Sequence, residues 1–224
     1  MDRAFSANLA GERSYLNLFN VDFMTSQRLI IAMSGASGQI LGIRILQMLR
    51  KMPEIETHLV ISQAARITIA QETDFTPAQV EALADVVYRP GDIAAAIASG
   101  SFAALGMIVA PCSIKTLSAI THSYANDLIT RAADVQLKEG RPLLLVVRET
   151  PLHLGHLRLM TQAAEIGAII FPPVPAFYAR PTDLDEMVTH TAGRILARIG
   201  ISNTAYPEWR GMSPEKGGPG SLDV

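Results

Sequence analysis

The sequence predicts an α/β fold, a doubly wound parallel sheet with helices on both faces. Three observations predict it. Short apolar runs rich in β-branched residues recur along the chain, and helix-periodic stretches separate them. Most of those runs stop at a cluster of glycine, proline or hydroxyl residues. Alternation of this kind gives crossover connections, which put parallel strands in one sheet and helices over both faces.

Taken in order, Leu29-Ile30-Ile31-Ala32-Met33 is the first strand, and Ser34-Gly35-Ala36-Ser37-Gly38 turns into a helix carrying Ile40, Leu41, Ile43, Ile45, Leu46 and Leu49. Thr57 to Ile61 is the second strand; it ends at Ser62 and leads into a helix over Ala64 to Gln71. Thr76 is an N-cap with Pro77 in the first turn of another helix. Asp92 to Ser99, rich in alanine, reads as a short helix. Met107 to Ala110 is a strand stopped by Pro111-Cys112-Ser113, with a helix from about Lys115. Arg131 to Glu139 is helical with Gly140 as its C-cap. Leu143 to Val147 is a strand ending at Arg148-Glu149-Thr150-Pro151, followed by a helix over Leu154 to Ile166 with Leu157 and Met160 on its core face. Strand Ala168 to Phe171 is broken by Pro172-Pro173-Val174-Pro175, and Leu184 to Ile199 forms the last long helix.

The unit so predicted spans residues 27–202. An N-terminal extension, 1–26, mixes charges and aromatics without a long apolar segment and reads as a loose tail, with Met24, just ahead of the first strand, a candidate natural start of the folded unit; residues 203–224 are a glycine- and proline-containing tail. A net charge of −2 leaves no basic footprint for nucleic acid or anionic lipid. Charged residues are only 18% of the chain against 49% hydrophobic, too few to coat a solitary sphere, so surface is predicted to be buried between subunits. The single cysteine, Cys112, excludes an internal disulfide and fits the cytoplasm; it reads as a packed thiol. No stretch approaches the roughly 20 apolar residues of a membrane span.

Ligands of open α/β sheets bind beyond the carboxyl ends of the strands. Those ends here carry the glycine turn, then Ser62, then Pro111 to Thr116 with Lys115, then Arg148-Glu149, then Pro175 to Tyr178. A glycine turn that opens a helix aims backbone N–H groups at one point and suits a phosphate. The residues therefore predict a cleft for a phosphate-bearing organic ligand. Other side chains have blander readings. Arg131, Asp134 and Lys138 share one helix face as an ion-pair ladder would, and His153 and His156 lack the further ligands of a metal site.

Ser34-Gly35-Ala36-Ser37-Gly38, Pro111-Cys112-Ser113-Ile114-Lys115-Thr116, Arg148-Glu149-Thr150-Pro151-Leu152 and Pro172-Pro173-Val174-Pro175-Ala176-Phe177-Tyr178 together resemble the flavin prenyltransferase family, over roughly Arg28 to Ile201. The resemblance implies a flavodoxin-like fold, a homododecamer, and transfer of a dimethylallyl group from dimethylallyl monophosphate to N5 and C6 of reduced FMN, with no metal required. The product is prenylated FMN, the cofactor of a partner decarboxylase in ubiquinone synthesis or aromatic acid decarboxylation. It further implies that Gly35, Ala36, Ser37 and Ser62 hold the flavin phosphate and ribityl chain, and that Ser113, Ile114, Lys115, Thr116 and Arg148 line the rest of the flavin site. Arg131, Lys138, Tyr178 and Arg194 would grip the prenyl phosphate, some from neighbouring subunits. Glu149 would move the proton, with Ser37 as relay and Lys138 assisting the departing phosphate. An FMN-dependent cysteine decarboxylase and a flavin electron carrier are the competing readings. The first is expected to carry a Pro-Ala-Ser-Ala-Asn-Thr-like segment where this chain has Pro111 to Thr116, and the second has no use for a second set of phosphate-binding cations.

Overall fold

The computed structural model describes residues 27–209 and 211. The tail predicted over 1–26 and most of that over 203–224 lie outside them.

Six parallel strands form one sheet: β1 (Gln27–Met33), β2 (Ile55–Ile61), β3 (Val86–Tyr88), β4 (Gly106–Cys112), β5 (Leu143–Val147) and β6 (Ile169–Ile170), in the order β3-β2-β1-β4-β5-β6. Seven α-helices connect or flank them: α1 (Gln39–Leu49), α2 (Gln63–Glu72), α3 (Pro77–Glu81), α4 (Ile114–Thr121), α5 (Leu128–Lys138), α6 (Leu154–Glu165) and α7 (Leu184–Arg198). Side chains alternate along a strand, so a strand packed on both faces must be apolar throughout. Leu29, Ile31 and Met33 pack into the layer with α1, α2, α3 and α7, while Ile30 and Ala32 face the layer with α4, α5 and α6. The predicted doubly wound sheet is therefore present.

Without β3 the order is that of a five-stranded flavodoxin-like sheet; β3 adds a sixth strand at one edge. Sequence pattern did not announce β3, which has three residues and pairs on one side only, along His58 to Val60. The Asp92 to Ser99 helix does not form. A single 3-10 turn, Ala96–Ala98, replaces it. Eight residues do not overcome helix nucleation unaided, and this stretch is held by other contacts: Arg131 Nε donates to the Ala98 carbonyl (3.2 Å) and Leu128 N–H to the Pro90 carbonyl (2.8 Å). Helix α5 starts three residues earlier than expected because Asp127 caps it, accepting the Thr130 N–H at 2.9 Å. Leu157, assigned to the core from its spacing, is exposed, and Ala163 is the one residue of α6 that is fully buried. Thr76 caps α3 as predicted, and the cap extends to a capping box with Gln79.

Candidate functional site

Strand order reverses between β1 and β4, so the loops leaving those two strands diverge and open a crevice. The two loops are tied together at its floor. The Ser34 hydroxyl donates to the Pro111 carbonyl (3.0 Å) and accepts the Ser113 N–H (2.8 Å), while Ser34 N–H donates to the same Pro111 carbonyl (3.1 Å). Ser34 is buried, so each of these bonds replaces water that cannot reach it. Sequence reading passed over Ser34 as part of the glycine run.

The turn after Ser34 rests on the first turn of α2. A Cβ on Gly35 would collide with the Ala64 Cβ, so only glycine lets the loop approach. Gly38, at φ +97°, is the left-handed N-cap of α1. Two hydroxyls cap the helices that converge here: Ser62 Oγ accepts from Ala65 N–H (3.1 Å) and Ser113 Oγ accepts from Thr116 N–H (3.3 Å), while the Ser113 hydroxyl also donates to the Thr116 oxygen (3.1 Å). Ile114 and the exposed Lys115 occupy the first turn of α4 beside them.

One carboxylate here had no sequence signal. Glu72, the last residue of α2, accepts from Gly38 N–H (2.8 Å) and Gln39 N–H (3.3 Å). The start of α1 is therefore already occupied by an anion of the protein's own, 33 and 34 residues away in sequence. An incoming phosphate must use donors ahead of the helix, from Gly35 to Ser37.

Beside the turn lies a cavity of about 240 Å³, lined by Ser37, Gly38, Ile40, Leu41, Arg148, Pro173, Pro175, Leu184, Met187, Val188 and Thr191. Its wall is mostly apolar, with one hydroxyl and one guanidinium from the predicted flavin set at the same rim. Arg148 is placed by its N–H, which donates to the Cys112 carbonyl at 3.2 Å. Glu149 follows it, exposed, and its Oε1 accepts the Thr150 N–H at 3.0 Å. Cys112 itself is buried and its thiol is pushed up to about 12 by desolvation, which keeps it protonated and inert.

The predicted prenyl-phosphate residues behave differently. Tyr178 sits in a 3-10 turn after β6; its hydroxyl donates to the Pro207 carbonyl (3.4 Å), and Trp209 stands edge-on to its ring with centroids 5.5 Å apart. Arg194 is exposed on α7, one turn beyond the cavity residue Thr191. Arg131 pairs with Asp134 (3.0 Å), the ladder partner that its spacing suggested. Lys138 pairs with Glu139 and lies against Gly100, where α5 ends and leads into the start of β5. The strands are parallel, so that end of the sheet is opposite the glycine turn. Within one chain the flavin set comes together and Lys138 does not join it.

The residues present fit an FMN. A glycine turn closed over Ala64, Gly35 and Ser37 N–H groups unengaged among the described residues, two helix-capping hydroxyls and an apolar cleft with one guanidinium suit a phosphate, a polyol and a flat ring.

Comparison with known proteins agrees. The Flavoprotein family model matches residues 21–189. The flavin prenyltransferase UbiX of Escherichia coli K12 is 62% identical over 187 residues, covering 83% of this chain and 99% of that protein. The crystal structure of AnUbiX (PadA1) in complex with FMN and dimethylallyl pyrophosphate superposes with a TM-score of 0.82 at 48% identity, over 84% of this chain and 99% of that one. A dodecameric FMN-dependent UbiX-like decarboxylase from E. coli O157:H7 gives a TM-score of 0.81 at 48% identity, over 83% of this chain and all of that one.

Proposed function

Because the chain belongs to the flavin prenyltransferase family, we propose that it joins a dimethylallyl group from dimethylallyl monophosphate to N5 and C6 of reduced FMN, releasing phosphate and giving prenylated FMN. Identity of 62% across nearly the whole length of a named flavin prenyltransferase is the observation that carries this reading. The same identity sets aside the cysteine decarboxylase and electron-carrier alternatives.

Reduced FMN, when bound, supplies the two nucleophilic ring positions that the allyl group joins. The rest of the work falls to side chains. Gly35, Ala36, Ser37 and Ser62 hold the flavin phosphate and ribityl chain, and Ser113, Ile114, Lys115, Thr116 and Arg148 flank the ring. Arg131, Lys138, Tyr178 and Arg194 bind the donor phosphate and stabilise it as the C–O bond breaks. Charge-assisted hydrogen bonds contribute about 1.5–3 kcal/mol each, so three cations lower the barrier by several kcal/mol if they fit the departing phosphate better than the bound ester. The apolar walls keep water from the allyl cation. Glu149, exposed beside Arg148, takes up the proton lost when the second bond forms, with Ser37 as relay.

Placement of Lys138 at the far end of its own sheet supports a donor site completed by a neighbouring copy of the chain, in a dodecamer like that of the E. coli O157:H7 relative. The exposed apolar residues Leu154, Leu157 and Ile166 on and after α6 supply surface for such contacts. No described helix is long and apolar enough to cross a membrane, in keeping with a cytoplasmic enzyme that hands its product to a prenylated-FMN-dependent decarboxylase. The test is stoichiometric: phosphate released from dimethylallyl monophosphate should require reduced FMN and match it mole for mole. Release that proceeds equally with oxidised FMN, or none at all, rejects the reading.

A further inference from the structure

We infer that Gln39 is a positioning residue that builds the phosphate cradle of the glycine turn, an inference that rests on the FMN reading above. Gln39 is the first residue of α1 and is fully buried. Its side chain folds back beneath the turn, and Nε2 donates both hydrogens: one to the Ser34 carbonyl (2.8 Å) and one to the Ala36 carbonyl (2.7 Å). In a trans peptide the C=O and the N–H point in opposite directions. The Ser34–Gly35 and Ala36–Ser37 bonds are both trans. By holding the Ser34 and Ala36 oxygens inward, Gln39 therefore turns the Gly35 and Ser37 N–H groups away from itself and out of the protein. Neither N–H has a hydrogen-bond partner among the described residues. Two outward N–H groups, with one residue between them, make a concave anion site, and it stands just ahead of the helix start that Glu72 already fills.

A second observation argues that Gln39 is present for its donors rather than for packing. Its Oε1 is buried and has no hydrogen-bond partner among the described residues. A leucine fills a similar volume without stranding an acceptor, so a residue serving only the core gains nothing from this amide. The unpaired oxygen is the cost of presenting two N–H donors to two carbonyls of one turn.

The test compares FMN dissociation constants of the full-length wild type, Gln39→Leu and Gln39→Glu, measured by flavin fluorescence from pH 5 to 8, with circular dichroism as a check on folding. Gln39→Leu should bind FMN about tenfold or more weakly, since two hydrogen bonds that fix the turn are gone. Gln39→Glu is nearly isosteric but, when ionised, sets an acceptor against two acceptors. Its affinity relative to wild type should be lost at pH 8 and recover on acidification, as protonation restores one donor. If Gln39→Leu does not fold, the ratio of Gln39→Glu to wild type across pH decides the question. A folded Gln39→Leu that binds FMN within twofold of wild type, or a Gln39→Glu ratio flat across pH, overturns the inference while leaving the flavin reading intact. A wild type that binds no FMN overturns the reading itself, and the inference with it.

Discussion

The Ser34 hydroxyl accepts the Ser113 N–H at 2.8 Å, a bond that spans 79 residues of sequence and joins the two loops flanking the reversal in strand order. The same hydroxyl donates to the Pro111 carbonyl, so its proton and one lone pair are both committed inside the protein. The crevice between these loops thus has a tied floor.

Ser34→Ala should strand the Ser113 N–H in a buried setting, while the Pro111 carbonyl keeps the bond from the residue-34 N–H. The expected cost is about 1–3 kcal/mol, a fall in Tm of roughly 2–10 °C for a chain of this size, with weaker FMN binding. Thermal melting with and without FMN measures both; an unchanged Tm would show that water replaces the hydroxyl.

Glu149→Gln should retain FMN and lose product. The residue is exposed, and its one hydrogen bond among the described residues is from the Thr150 N–H, so folding should be unaffected. A general base typically contributes about 10²–10⁴-fold. Single-turnover assays of prenylated FMN, beside a flavin titration, separate the two effects. Wild-type turnover in the variant would remove Glu149 from the chemistry.

Lys138 and Glu149 should complement between chains. Lys138 sits at the strand-start end of its own sheet and Glu149 at the strand-end side. If each donor site takes its lysine from a neighbour, Lys138→Ala and Glu149→Gln are each inactive alone, and co-expression yields hybrid oligomers in which some sites carry both native residues. Activity regained in purified hybrids is the expected result. Hybrids as inactive as their parents place both residues in one chain's own site.

His58 should make stability depend on pH. It is buried on β2, its Nδ1 3.0 Å from the Tyr88 hydroxyl, with Glu56, Arg28 and Asp85 as the charges around it. Desolvation lowers its pKa from the ordinary 6.5, with Glu56 opposing the shift. Protons therefore bind the unfolded chain more readily. The stabilisation from a neutral His58 is complete above pH 6.5 and is lost as pH falls from there toward the lower folded value. Denaturant midpoints between pH 5 and 8 should show that slope, and His58→Gln should flatten it.

Legibility in the sequence followed burial. Strands β1, β2, β4 and β5 lie inside the sheet, so both faces of each are apolar and the runs stand out. The edge strand β3 is half-buried, has three residues, and takes its register from β2 rather than from any pattern of its own. The residues proposed for the flavin stood out because each follows a strand. Glu72 was not, since nothing local marks a carboxylate whose partners lie across the fold. Nothing in its spacing singles out Gln39; only the direction of its amide points to a use. The placement of Lys138 needed strand direction, which spacing along one helix does not supply.

The most direct measurement is the mass of the flavin itself. After anaerobic incubation of the protein with reduced FMN and dimethylallyl monophosphate, the extracted flavin should be heavier by one five-carbon unit, and its absorption should no longer be that of FMN. Recovery of unaltered FMN from protein shown to bind both compounds would contradict the account.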